Sequence, residues 1–332
     1  MRIAKHILRF TVVVVTALLL YGVYYAWQAF PIITGYGAKM LCSCTMLAGR
    51  PADDVIRNEL GDGLLKLGSY VVHVEDSSAT ATVFGLARRK AIYRKGLGCT
   101  LVNGLTEAEL RAQSWSIPMR PAVNPDTIPW PSGNLITRVD LSAYDTVLLK
   151  QTIDEAFREP GQKPQRRTRA VLIVHNGNLI AERYAPGFSE KSLLTGWSMT
   201  KSLTNSIVGA LVRDGLISLN TPAPVEHWKE DERAAITLHH LLQASSGLAW
   251  EEVYSGPSAA TRMLFKERDA GLYACHFPLH DTPGEVFYYS SGTTNIISLI
   301  IRKTLGDELY HSYGYEKVFF KAGMYSLVME PD

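Results

Sequence analysis

Gly196-Trp197-Ser198-Met199-Thr200-Lys201-Ser202, just past the middle of this 332-residue chain, is the stretch whose reading decides the fold. It sets a serine three residues before a lysine, where a helix is expected to begin. On a helix, positions i and i+3 share a face, with Cβ atoms roughly 5–6 Å apart. A lysine so placed can share a proton with the serine hydroxyl, and a helix N-terminus adds positive potential and unpaired backbone N–H groups beside it. These are the parts of an activated nucleophile and half an oxyanion site. Two fixed residues make a weak pattern, so the neighbours on either side carry the reading.

Upstream, Val171-Leu172-Ile173-Val174-His175 and Leu179-Ile180-Ala181-Glu182-Arg183-Tyr184 flank Asn176-Gly177. Asn-Gly between two β-rich runs predicts a hairpin closed by a two-residue type I′ turn. Ser142–Arg158 reads as a helix with contacts from Tyr144, Val147, Leu148, Ile153, Ala156 and Phe157. After the serine, Leu203, Ile207, Val208 and Leu211 form a core-facing stripe that stops at Asp214-Gly215. Thr237 can cap a short helix bearing Leu238, Leu241 and Leu242, which ends before Gly247. His239 and His240 lack ligand partners at helical spacing, so an exposed or capping role is expected and no metal site. Pro283-Gly284-Glu285-Val286-Phe287-Tyr288-Tyr289-Ser290-Ser291-Gly292 reads as a turn, a short extended run and a loop, before a helix that buries Ile296, Ile297, Ile300 and Ile301.

The N-terminus is of another kind. Arg2, Lys5 and Arg9 precede an apolar run from Phe10 to Phe30, with Tyr21, Tyr24, Tyr25 and Trp27 at its far end. About twenty such residues span a bilayer core of roughly 30 Å, and the aromatics suit the interface. The competing reading, a cleaved signal peptide, wants a shorter apolar core and small residues at the cut. A retained single-pass anchor is therefore expected, with the basic end inside and the rest extracytoplasmic.

Residues 31–117 read as a small α+β module: a helical pattern over Pro51–Leu67, strand-like runs at Tyr70–Val74 and Ala79–Leu86, and a basic cluster Arg88, Arg89, Lys90, Arg94 and Lys95. Sparse aromatic platforms make that cluster a solvated edge rather than a nucleic-acid site. Of the 4 cysteines, Cys99 can pair with Cys42 or Cys44 in an oxidising compartment, or all can be buried thiols. Pro118, Pro121, Pro125, Pro129 and Pro131 deny helix and central strand to residues 118–140, a linker. A net charge of +2, with 46% hydrophobic residues, gives no pull toward nucleic acid. Oligomeric state is not readable from these patterns.

In this order, the hairpin, the Ser-x-x-Lys helix, Leu-Leu-Gln-Ala-Ser-Ser-Gly-Leu and Pro-Gly-Glu-Val-Phe-Tyr-Tyr-Ser-Ser-Gly resemble the serine β-lactamase and penicillin-binding-protein superfamily. The likeness is to its class C β-lactamase-related hydrolases, including 6-aminohexanoate-dimer hydrolase and esterases, over residues 129–332. It implies an α+β, β-lactamase/transpeptidase-like fold over 141–332: an antiparallel sheet flanked by helices, with a helical subdomain. It also implies Ser198 as acylated nucleophile, Lys201 as its activator and Tyr289 as proton shuttle, with no cofactor or metal. Ser291 stands where lactamases carry the Asn of Tyr-x-Asn, which favours a small-molecule ester or linear amide over a penicillin. Ser291 and Trp197 are expected to support the substrate. With 1–9 cytoplasmic and 10–30 spanning, the resemblance places the enzyme on a bacterial inner membrane, facing the periplasm.

One departure bears on activity. The family's Lys/His-x-Gly element, which supplies the second oxyanion N–H, has no counterpart in register between Gly292 and Asp332. The chain is therefore expected to be truncated, with C-terminal strands missing. The rival expectation is an inactive relative with a ligand-binding role or none.

Overall fold

The computed structural model describes residues 2–115, 117–136, 139–161 and 165–331. In chain order its regular elements are α1 (Arg2–Cys42), α2 (Ala52–Asn58), β1 (Gly68–His73), β2 (Ser78–Val83), β3 (Leu86–Arg94), β4 (Gly98–Leu101), α3 (Glu107–Ala112) and α4 (Thr146–Phe157). There follow β5 (Ala170–His175), β6 (Asn178–Tyr184), α5 (Thr200–Arg213), α6 (Leu238–Leu242), α7 (Ala259–Phe265), α8 (Ala270–Cys275) and α9 (Ser291–Gly314). Packing sorts them into two compact units. One joins Met1–Trp115, Ser198–Tyr310 and Val328–Asp332; the other joins Ser116–Trp197 and His311–Leu327. The first therefore groups the N-terminal module with the Ser-x-x-Lys helix.

Within the first unit, α1 has two halves of different character. Phe10, Leu19 and Trp27 are 72%, 65% and 77% exposed, whereas Ala38, Leu41 and Cys42 are fully buried. The first half is long and apolar enough to cross a membrane. The second lies on an antiparallel sheet of order β1-β2-β3-β4, packing on Ala79, Ala81 and Ala91. Small strand side chains let the helix approach closely, and Gly37 meets the Tyr70 ring, where any Cβ would clash. Cys42 at the helix end is bonded to Cys99 on β4, and Cys44 and Cys275 stay buried and free.

Three local expectations are corrected. Pro51–Leu67 is not one helix: α2 ends at Asn58 and a 3-10 turn, Gly63–Leu67, follows. Gly63 takes φ 57°, which breaks the helix that the apolar spacing suggested. The basic cluster is not an edge, because β3 pairs with both β2 and β4. It is accommodated by ion pairs and hydrogen bonds: Lys90 meets Asp76 at 2.6 Å and Glu107 at 2.8 Å, and Arg94 donates to Thr100, Leu110 and Gln113. In the second unit, α4 buries Ile153 while Val147 and Leu148 are 65% and 59% exposed, so those two are not core contacts.

The second unit holds the hairpin. β5 and β6 pair antiparallel around Asn176-Gly177, whose φ values are 50° and 78°, the left-handed pair that a type I′ turn requires. Asp145 caps α4 by accepting from the N–H groups of Val147 and Leu148. The Arg183 guanidinium lies 4.6 Å from the Phe157 ring and pairs with Asp154, tying β6 to α4. The proline-rich stretch has local structure within its described residues 118–136. Pro125–Thr127 is a 3-10 turn and Pro129 bridges Leu135.

Candidate active site

Ser198 lies in a 3-10 turn, Trp197–Met199, that leads directly into α5. Ile207, Val208, Ala210 and Leu211 are buried and hold α5 in the core, leaving its N-terminal end, Ser198 included, exposed. The serine thus sits two residues ahead of the α-helix rather than on its first turn. Trp197, just before it, takes φ 41° and is 49% exposed. A bulky side chain in the left-handed region costs about 1–3 kcal/mol, and here that strain directly precedes Ser198.

Two loops carry the facing side chains. The first, 243–249, turns through Ala244 (φ 55°) and Gly247 (φ 75°); a Cβ on Gly247 would stand 2.1 Å from the Asp281 carbonyl. That close approach explains the glycine in Ala-Ser-Ser-Gly-Leu. The second, 279–290, is stitched to it: Gly284 N–H donates to Ser245 O (2.8 Å) and Tyr288 N–H to Ala244 O (2.7 Å). Tyr289 is the next residue, so its position follows from this backbone pairing. His240 Nδ1 accepts from Thr237 N–H and closes a capping box on α6. Among the described residues, no group of His, Cys, Asp and Glu is placed to hold a metal ion.

The structure brings Ser198, Lys201, Tyr289 and Ser291 together. Lys201 Nζ donates to Ser198 Oγ at 3.2 Å and to Ser291 Oγ at 3.0 Å, and lies 4.7 Å from the Tyr289 ring centroid. Hydrogen bonding with Ser198 holds the Tyr289 hydroxyl below the usual tyrosine range; Lys201 adds a second bond and its charge. Beside them is a cleft of ≈220 Å³ whose walls include Lys201, Leu242, Phe287 and Tyr289. A phenol eased toward ionisation, an ammonium and an exposed hydroxyl are the parts of a proton relay ending on a nucleophile.

Three further residues extend the cluster and were not read from the sequence. Glu252 accepts from Trp250 Nε1 (2.5 Å), Tyr254 Oη (2.6 Å), Ser291 N–H (2.9 Å) and Ser291 Oγ (2.5 Å). Burial pushes the Glu252 carboxyl up, but these hydrogen bonds outweigh it and hold the pKa below the ordinary value. Tyr254 Oη also lies 3.0 Å from Ser291 Oγ, and burial, then Glu252, push its pKa up to about 12. Ser291 therefore links the Lys201 ammonium to a carboxylate. Gly292 completes the fit, since a Cβ there would come within 2.8 Å of the Trp250 ring. The available signal was an acid among aromatics in Trp250-Glu251-Glu252-Val253-Tyr254, but nothing in the spacing joins it to Ser291.

A family model described as Beta-lactamase matches residues 153–332. That is more than half of the chain, and the chain belongs to the beta-lactamase family, with the antiparallel-sheet-and-helix fold of that family. Among solved structures, "Putative 6-aminohexanoate-dimer hydrolase from Bacillus anthracis" is similar at 22% identity and TM-score 0.42, over 53% of this chain and 47% of that one. "Crystal structure of putative beta-lactamase from Bacteroides dorei DSM 17855" is similar at 19% identity and TM-score 0.39, over 55% of this chain and 51% of that one. The chain thus spans about half the length of either. No curated protein matches it.

Proposed function

We propose that the protein is a membrane-anchored serine hydrolase that cleaves an ester or amide through an acyl-enzyme on Ser198. The observation that carries this reading is the contact of Lys201 Nζ with Ser198 Oγ at 3.2 Å, beside a tyrosine whose pKa is lowered. In the forward step the Tyr289 phenolate takes the Ser198 proton as Oγ attacks the substrate carbonyl carbon. Lys201 stays an ammonium, stabilising the phenolate and donating to Oγ. The tetrahedral adduct collapses, the bond to the leaving oxygen or nitrogen breaks, and Tyr289 returns its proton to that atom. Water then attacks the ester on Ser198, Tyr289 takes the water's proton, and Oγ departs with a proton to release the acid. Backbone N–H groups at the start of α5 are the oxyanion donors this chain offers.

Ser291 holds Lys201 in place and is itself fixed by Glu252. Trp197 would border the substrate. The apolar half of α1 would be the single-pass anchor, and Arg2, Lys5 and Arg9 favour its N-terminus inside, leaving the site outside. A pair of fluorophosphonate probes, one membrane-permeant and one impermeant, tests both points in intact bacterial cells expressing the full chain. Both probes should label the protein, and labelling should vanish in Ser198→Ala. Absence of labelling in folded protein contradicts the hydrolase reading, and labelling by the permeant probe alone contradicts the outward-facing site.

A further inference from the structure

At 1.5 Å per residue, the stretch from Phe10 to Phe30 on α1 covers about 30 Å, one hydrocarbon thickness. Its outward end thus falls at residues 25–30, and several parts of the same unit touch the helix at that level. A Cβ on Gly256 would stand 3.0 Å from Tyr25 Oη. Lys266 Nζ donates to Gln28 Oε1 at 2.9 Å, and the Phe84 ring meets the Phe30 ring edge-on at 6.1 Å. One turn further along, Thr34 Oγ1 donates to Ala87 O at 2.7 Å, fixing the β2–β3 turn to the helix.

The surface gathered there is amphipathic. Phe84 and Leu86, at the β2–β3 turn, are 70% and 61% exposed beside the helix. The cations next to them are bonded to neutral groups: Lys266 to the Gln28 amide and Arg89 to the Asn103 amide at 3.1 Å. Burial, followed by the nearby charges of Arg262 and Arg89, lowers the Lys266 pKa against an opposing pull from Glu267, so Lys266 lies within electrostatic reach of both arginines. Exposed aromatic and aliphatic side chains next to a group of three cations match the boundary between acyl chains and lipid phosphates.

We infer that this face, built from Phe84, Leu86, Arg89, Arg262 and Lys266, seats the catalytic unit on the bilayer that α1 enters, with the apolar pair at the acyl boundary and the cations on lipid phosphates. The inference rests on the reading of α1 as the anchor. It has a consequence for the site. Gly256 is two residues from Tyr254, about 7 Å of chain at most, and Tyr254 Oη contacts Ser291. The wall of the site therefore stands at headgroup level, and the ester or amide reaches Ser198 from the membrane surface.

The test is a depth measurement on the full chain in single-copy nanodiscs of phosphatidylcholine and phosphatidylglycerol. Nitroxide labels go on Phe84→Cys, on Leu19→Cys in the span and on Ala108→Cys, an exposed α3 position; both native free cysteines are buried. The Phe84 label should behave like the Leu19 label, open to oxygen and with lost accessibility to a water-soluble nickel complex. Accessibility to nickel equal to that at Ala108 overturns the seating. Equal accessibility at Leu19 as well overturns it by removing the anchor. Spin–spin broadening at Phe84 in crowded vesicles, with a water-like signal in single-copy discs, assigns the face to a second copy and also overturns it. None of these readings depends on turnover, so a failure of the Ser198 assignment would be seen separately by probe labelling.

Discussion

At the scale of single residues, the site turns on how one ammonium is shared. Lys201 bonds Ser198 Oγ and Ser291 Oγ and lies over the Tyr289 ring. Ser291 is small enough to let Glu252 reach both its hydroxyl and its N–H. The Tyr289 pKa is lowered by Ser198 and Lys201 together. In the proposed mechanism the phenolate is the reactive form, so the rate should rise with pH as Tyr289 ionises, and that rise should lie below the usual tyrosine range. Lys201→Met removes a bond and a charge that favour the phenolate. The rising limb should move to higher pH, and the neutral rate should fall about 10²–10⁴-fold, the usual worth of general acid–base catalysis. pH–rate profiles on p-nitrophenyl butyrate check this; an unmoved limb would remove Lys201 from the relay.

At the scale of elements, the parts set by local chemistry were legible and those set by distant packing were not. Asn176-Gly177 announced its turn because both positions need left-handed φ, which these residues tolerate best. Gly177→Ala should therefore destabilise the unit holding the hairpin by about 1 kcal/mol, read as a lower melting temperature with unchanged secondary structure. A loss too small to measure would mean the turn is not strained by a side chain. The stripe Ile207, Val208 and Leu211 was likewise plain from its period, and those residues are buried. By contrast, Glu252 lies 39 positions before Ser291 in a loop without periodicity, and only the folded chain brings them together. The Arg88–Lys95 cluster was placed at an edge because charge favours solvent. In β3 it is tolerated because Asp76 and Glu107 meet Lys90 from outside the strand.

At the scale of the molecule, α1 passes from an exposed apolar half to a half buried on the β1–β4 sheet without a break. The sequence left Cys99 free to pair with either Cys42 or Cys44, and the folded chain pairs it with Cys42. That bond closes a loop with a sequence separation of 57. Reducing it should cost the first unit about 2–4 kcal/mol, and thermal melts with and without a phosphine reductant measure the loss. No shift on reduction would show that packing of α1 on the sheet suffices. The association of the N-terminal module with α5, α7 and α9 in one unit was not legible, because the contacts that make it are between segments far apart in sequence.

The central claim is that Ser198 carries the acyl group, and it can be weighed directly. Full chain in detergent micelles is mixed with p-nitrophenyl butyrate, quenched in acid within the first turnovers, digested and analysed by mass spectrometry. The expected result is a butyryl group on the peptide containing Ser198, absent from Ser198→Ala and formed more slowly in Tyr289→Phe. A butyryl group on another residue, or ester turnover undiminished in Ser198→Ala, would contradict the account.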